Sequence, residues 1–168
     1  DMGNFTDFMF NYLLEIFLPF PIWYNVKSIF IFLLNGFCFY LLARYLFRNR
    51  LVSILTGFFF ATTPYILLHF TYGRIEQIFL FPMPLCILYF LKTISEKKNK
   101  LTNSVLCGVF LALISLFYWF YGIFIAFLLG ILFLYALIKG YRRKFIYRGL
   151  AYLFLSAIVF SIIIAPFM

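Results

Sequence analysis

Thr62, Tyr65 and His69 recur at i, i+3 and i+7, a spacing that sets them on one face of a helix. Directly after them runs Tyr72-Gly73-Arg74-Ile75-Glu76-Gln77, a turn that Gly73 permits. His69 is the one histidine of the chain, and a histidine can pair with a phosphate or relay a proton near neutral pH. Arg74 at a helix start could hold a phosphate, its guanidinium adding to the positive helix end. Pro64 lacks an amide hydrogen and so frees a backbone carbonyl nearby. The plainer alternative is that Arg74 and Glu76 pair at an interface and that a neighbouring hydroxyl satisfies His69.

Three further carboxylates, Asp1, Asp7 and Glu15, precede the first long apolar run. A carboxylate serves as a general base if it has reach and a suitable pKa, which makes Asp1 and Asp7 candidate bases. Their plainer roles are a solvated loop acid for Asp1 and a helix N-terminal charge or cap for Asp7. Cys38, Cys86 and Cys107 lie inside apolar runs without CxxC or metal-type spacing, so small hydrophobic packing is expected of them. No phosphate loop, zinc signature, Ser/His/Asp order or EF-hand is present.

These polar groups sit in a chain that is 66% hydrophobic and 11% charged, with a mean hydropathy of +1.05. An average soluble domain is about half apolar and a quarter charged, and a water-soluble fold of this size could not hide so much apolar surface. Lipid is therefore the expected solvent. The 27 Phe and 13 Tyr accompany abundant Ile, Asn and Lys, all with AT-rich codons, so they are read as base composition and not as a stacking surface.

A membrane span needs about 20 predominantly apolar residues. Six segments qualify or nearly do: 26–47, 51–70, 77–95, 102–119, 120–138 and 149–168. The fourth and fifth are joined at Trp119–Gly122 by almost nothing, which predicts a tight helical hairpin. Pro82 and Pro84 predict a kinked third span, and Asn35 inside the first is expected to hydrogen-bond a neighbouring helix. The fold class is all-α: a polytopic transmembrane bundle of about six spans plus an N-terminal interfacial amphipathic helix. No soluble second domain is evident; residues 1–25 form an outer loop and 26–168 the spans.

Charge fixes the expected orientation. Arg44, Arg48 and Arg50 follow the first span, Lys92, Lys97, Lys98 and Lys100 the third, and Lys139, Arg142, Arg143, Lys144 and Arg148 the fifth. Twelve of the fourteen basic residues thus fall at alternate turns, with Lys27 and Arg74 on the other side. Because Lys and Arg mark cytoplasmic loops, residues 1–25 and the C-terminal end are expected on the non-cytoplasmic side of an integral cell membrane. The same distribution removes nucleic acid as the meaning of a net charge of +9, leaving membrane lipid as the partner.

Between Asn4 and Phe17, Phe5, Phe8, Met9, Tyr12, Leu13, Ile16 and Phe17 share one helical face and Asn4, Asp7, Asn11 and Glu15 the opposite one. That pattern predicts a helix lying in the outer interface, stopped by Pro19 and Pro21 and followed by Trp23 and Tyr24 as interfacial anchors. Tyr118, Trp119 and Tyr121 read as an aromatic belt bordering the same outer cavity. Asn4-Phe5-Thr6 is a glycosylation sequon on that side. With no initiator Met before Asp1, and with Met168 ending an apolar run, the chain reads as a segment of a longer protein.

The order of these features resembles a known family. An outer acidic segment and interfacial helix lead to Pro21-x-x-Tyr24-Asn25, then Asn35-Gly36, Tyr40 and Arg44 down one span. Gly57 and Pro64-Tyr65 follow in the next, then Tyr72–Gln77 before Pro82 and Pro84-Leu85. This resembles the GT-C-type polytopic membrane glycosyltransferases that use polyprenyl-phosphate sugars, in a poorly characterised branch. The resemblance implies a first span missing upstream, and an inverting transfer from a lipid-linked sugar to an acceptor hydroxyl on the non-cytoplasmic face. It further implies that Asp1 or Asp7 is the base, and that His69, Tyr72, Arg74, Glu76 and Gln77 form the substrate and phosphate site. Many relatives have His where Arg74 stands. The donor would be a polyprenyl-phosphate sugar, with a divalent metal left open. The alternatives are a transporter or flippase for a lipid-linked or small polar solute, and a non-catalytic membrane subunit.

Overall fold

The computed structural model describes residues 22–96, 99–138 and 143–167 together with Tyr12 and Pro19; of residues 76, 136, 137 and 143–150 it describes the backbone alone. The amphipathic segment 4–17, apart from Tyr12, and with it Asp1, Asp7 and the sequon, lies outside the described residues. So do Lys97, Lys98, Lys139 and Arg142.

The described chain is an all-α bundle of α1 (Ile22–Phe47), α2 (Arg50–Ala61), α3 (Pro64–Thr71), α4 (Pro82–Ser95), α5 (Lys100–Phe117), α6 (Trp119–Ile138) and α7 (Arg143–Ile164). Single 3₁₀ turns occupy Ile75–Ile78 and Ala165–Phe167. Three helical stretches are long and apolar enough to cross a membrane: Ile22–Phe47, Arg50–Thr71 and Lys100–Phe117. Pro82–Ser95, Trp119–Tyr135 and Ala151–Phe167 are shorter apolar helical stretches. Apolar side chains also face outward, with Phe124 67%, Phe127 72% and Phe154 69% exposed, which suits a lipid-facing surface better than a wet one.

The helices pack through small residues. α1 crosses α2 where Gly36 meets Gly57: a Cβ on Gly57 would lie 2.6 Å from the Gly36 carbonyl oxygen. Ser53, Gly57 and Ala61, four residues apart, are all buried on that face of α2, the small-xxx-small pattern that lets helix backbones approach. α5 meets α7 in the same way, since a Cβ on Gly108 would lie 2.5 Å from the Ser156 carbonyl oxygen. Beside that contact the Ser104 and Ser156 hydroxyls are 3.0 Å apart and the Ser156 Oγ donates to the Ser104 carbonyl at 2.8 Å. α4 packs on α1 and on α5, and α5 also carries α6 and α7, so α4 and α5 form the middle of the bundle.

Two expected spans are divided. The second is interrupted at Thr62–Thr63, because Pro64 has no amide to give the Phe60 carbonyl. The Thr63 amide takes that carbonyl at 3.4 Å, and Pro64 starts a new helix. The third helix starts at Pro82 and not at Gln77, so Pro82 and Pro84 lie in its first turn, where a missing amide costs little, and do not kink a longer helix. The residues before it, Ile78, Phe79 and Leu80, are non-helical or end a 3₁₀ turn, yet they are 0%, 3% and 7% exposed. Part of their polar backbone is satisfied within the fold. Phe79 forms an inverse γ-turn (φ −73°, ψ 68°) that brings the Leu80 amide to the Ile78 carbonyl at 2.8 Å. Asn35 of α1 donates from Nδ2 to the same carbonyl at 2.8 Å.

The expected hairpin forms. α5 ends at Phe117, Tyr118 is extended (φ −155°, ψ 110°), and α6 begins at Trp119. Gly122 then lies so close to Ser115 that a Cβ would overlap its hydroxyl. At the opposite end of α1, Arg48 adopts a left-handed conformation (φ 54°) and Asn49 caps α2, its Oδ1 accepting the Leu51 amide at 3.0 Å. Tyr45 and Ser95 hydroxyls, 2.5 Å apart, join the C-terminal ends of α1 and α4 there.

Candidate functional site at the α3–α6 end

Tyr65 and His69 sit one turn apart on α3, their rings 4.3 Å centroid to centroid. Thr62 does not share that face. It belongs to the end of α2, and its hydroxyl donates back to the Phe58 carbonyl at 2.9 Å. α6 supplies Tyr121, whose hydroxyl bonds the Tyr65 hydroxyl and donates to the Gln77 carbonyl at 3.1 Å. The α3 face, the start of α6 and the 75–78 turn are therefore held together by two phenols. Tyr118 packs against Tyr121 at 4.8 Å, so the aromatic residues of the hairpin border this cluster.

The chain leaves α3 through Tyr72 and Gly73, with Gly73 in the left-handed region at φ +69°. No side chain lies where its Cβ would be, so the glycine answers to backbone conformation and not to crowding. The Arg74 amide donates to the His69 carbonyl at 2.9 Å, tying the turn to the end of α3. Arg74 and Tyr72 are exposed, Tyr72 at 70%. The helix that Arg74 precedes is a single four-residue 3₁₀ turn, too short to present the dipole expected there. Its guanidinium charge remains. Gln77 contributes its carbonyl to Tyr121, and Glu76 is described by its backbone alone.

His69 Nδ1 is a buried nitrogen without a hydrogen-bond partner. Tyr65, one turn before it on the same face, gives it a ring contact while bonding Tyr121 instead. A buried unsatisfied ring nitrogen costs free energy that a bound hydrogen-bonding group would recover.

Lys27, counted in the sequence only as a topology charge, is 1% exposed. Its Nζ lies 5.9 Å from the Trp23 ring and 5.5 Å from the Phe79 ring, within reach of both faces. Trp23 is itself 6% exposed, packed inward and not displayed as a surface anchor. An aromatic on each side of a lysine one turn from Trp23 was the available signal, but Phe79 is distant in sequence and enters through the non-helical segment.

Of the seven sequence candidates, His69 and Gln77 join one cluster with Tyr65 and Tyr121, while Tyr72 and Arg74 stand on its exposed rim. Among the described residues no three His, Cys, Asp or Glu side chains come together as a metal site. The three cysteines are free and buried, with Cys86 and Cys107 Sγ atoms 3.9 Å apart between α4 and α5. No protein-family model, no curated protein and no solved structure matches this chain.

Proposed function

We propose that the chain is the membrane domain of a GT-C-type glycosyltransferase, with about six spans and the α3–α6 end on the non-cytoplasmic side. The observation that supports this most is the buried, unpartnered Nδ1 of His69, a residue whose backbone carbonyl accepts the amide of the exposed Arg74. A phosphate seated between them would meet a ring nitrogen able to donate and a permanent positive charge. Support for the orientation comes from the opposite end, where Lys92 lies over the Tyr45 ring beside the Tyr45–Ser95 contact and Arg44, Arg48 and Arg50 stand at the α1–α2 turn.

In the transfer, the acceptor hydroxyl oxygen attacks the anomeric carbon as its proton passes to a carboxylate, Asp1 or Asp7 by resemblance. The bond from the anomeric carbon to the lipid-phosphate oxygen breaks, and the phosphate takes the electron pair. Arg74 neutralises that growing charge and His69 donates to it. Tyr65 and Tyr121 orient His69 and the turn.

The test is sugar transfer from a polyprenyl-phosphate donor by the full-length protein. Arg74→Ala and His69→Phe should each lower kcat by about a hundredfold or more, the usual loss for one charge-stabilising group. Unchanged transfer in both variants would refute the assignment. A second reading, a transporter, draws on the broken third span, since interrupted helices line many transport sites. Residues 78–80 are however packed among apolar groups, and solute uptake by reconstituted protein without sugar transfer would decide for it.

A further inference from the structure

At the Gly36–Gly57 crossing α1 and α2 leave an open groove of about 340 Å³. Gly36 and Gly57 form its floor; Leu33, Phe37 and Tyr40 line one wall, Ile54 and Phe58 the other. The rim is outward-facing, with Leu33 66% and Phe58 61% exposed. Nothing polar lines it except Tyr40.

The two walls continue into charge. Leu33, Phe37, Tyr40 and Arg44 follow one another at helical spacing, within an arc of about 60° on α1. On α2, Arg50 stands on the same face as Ile54, Gly57 and Ala61. Both arginines are exposed and lie about 6 Å beyond the last wall residue, one turn of rise. The Arg44 guanidinium is drawn to the α1–α2 turn, where Nη1 donates to the Arg48 carbonyl at 2.7 Å. One such bond leaves most of its five donors available.

An apolar trough with an exposed arginine one helical turn beyond each wall matches one kind of molecule: an acyl chain attached to a phosphodiester. We infer that the α1–α2 groove is a binding site for an anionic phospholipid, its acyl chain on the Gly36–Gly57 floor and its headgroup phosphate between Arg44 and Arg50. The inference rests on the bilayer location proposed above but not on glycosyl transfer. The arginine end of the site lies at the opposite end of the bundle from His69.

The experiment is native mass spectrometry of the full chain released from nanodiscs of equal phosphatidylglycerol and phosphatidylcholine. The unmodified chain should retain phosphatidylglycerol in preference. Arg44→Gln and Arg50→Gln should each reduce the preference roughly fivefold, while Lys100→Gln, at the same end but off the groove, leaves it intact. Ile54→Trp, which fills the trough and spares both arginines, should abolish retention; Phe37→Trp tests the other wall if Ile54→Trp lowers helicity. Equal retention of the two lipids, or a preference indifferent to the arginine changes, overturns the site. So does retention that survives both tryptophans, which would leave a diffuse basic surface, or a two-chain mass in place of lipid, which would give the groove to a second copy. Release of the chain from membranes by alkaline carbonate would instead refute the bilayer location itself.

Discussion

Replacing Gly57 by alanine puts a methyl carbon 2.6 Å from the Gly36 carbonyl oxygen and 3.2 Å from the Tyr40 Cβ. Neither neighbour is the free end of a flexible side chain. The first is backbone, so α1 and α2 must part. A gap of roughly 0.5–1 Å forfeits a quarter to a half of each contact's attraction, and overpacking of this kind costs about 1–3 kcal/mol. The substitution also removes a helical glycine, which by itself returns about 0.8–1.0 kcal/mol. Gly130→Ala isolates that gain, because a Cβ on Gly130 meets no atom within 4 Å. The difference in stability between the two variants should therefore be about 1–3 kcal/mol. Gly36→Ala, whose Cβ would meet the Gly57 oxygen at 3.3 Å and the Ala61 Cβ at 3.4 Å, should fall between them. Unfolding of the purified chain in mixed micelles by increasing sodium dodecyl sulfate, followed by far-ultraviolet circular dichroism, measures all three. Equal stability of Gly57→Ala and Gly130→Ala would refute the close crossing.

Two further changes probe the middle of the bundle. Asn35→Ala removes the bond to the Ile78 carbonyl and should destabilise the chain by about 1–3 kcal/mol, with faster amide exchange at residues 78–81; Asn35→Asp should be worse, because it sets an acceptor against that carbonyl. Cys38, Cys86 and Cys107, 4%, 0% and 1% exposed, should resist a maleimide in native membranes and all react after unfolding in detergent; native labelling of Cys86 or Cys107 would contradict their burial.

The helices were legible wherever apolar length and a local signal agreed. The first span needed an extension of one turn, to Ile22, and the hairpin at Trp119 followed from the lack of any linker. The prolines carried the harder information. Pro64, Pro82 and Pro84 mark discontinuities in the sequence, but whether a proline kinks a helix or starts one depends on who takes the orphaned carbonyl. Here Thr63 takes one and Asn35 another, and the Asn35–Ile78 bond spans 43 positions. At the candidate site, the i, i+4 pair Tyr65–His69 and the permissive Gly73 could be read directly. Tyr121 could be set beside the same outer cavity, but its bond to Gln77 is a property of how α6 returns along α5. Lys27 was hidden for the same reason: one positive charge near a span end reads as solvated until Phe79 closes over it.

Helix α4 has only 14 residues, about 21 Å of rise, against the roughly 30 Å of a hydrocarbon core. In a bilayer it cannot be a self-sufficient insertion unit. The non-helical stretch before it would carry bare amides and carbonyls into lipid, a state that costs several kcal/mol for each group. In the bilayer arrangement proposed above, its entry requires α1 to be present already, with Asn35 waiting for the Ile78 carbonyl. The chain's own order of synthesis meets that requirement, because α1 leaves the ribosome before α4. An Asn35 variant should accordingly fail first during biogenesis, as a chain whose α4 is left outside the membrane, before it shows any loss in the finished protein.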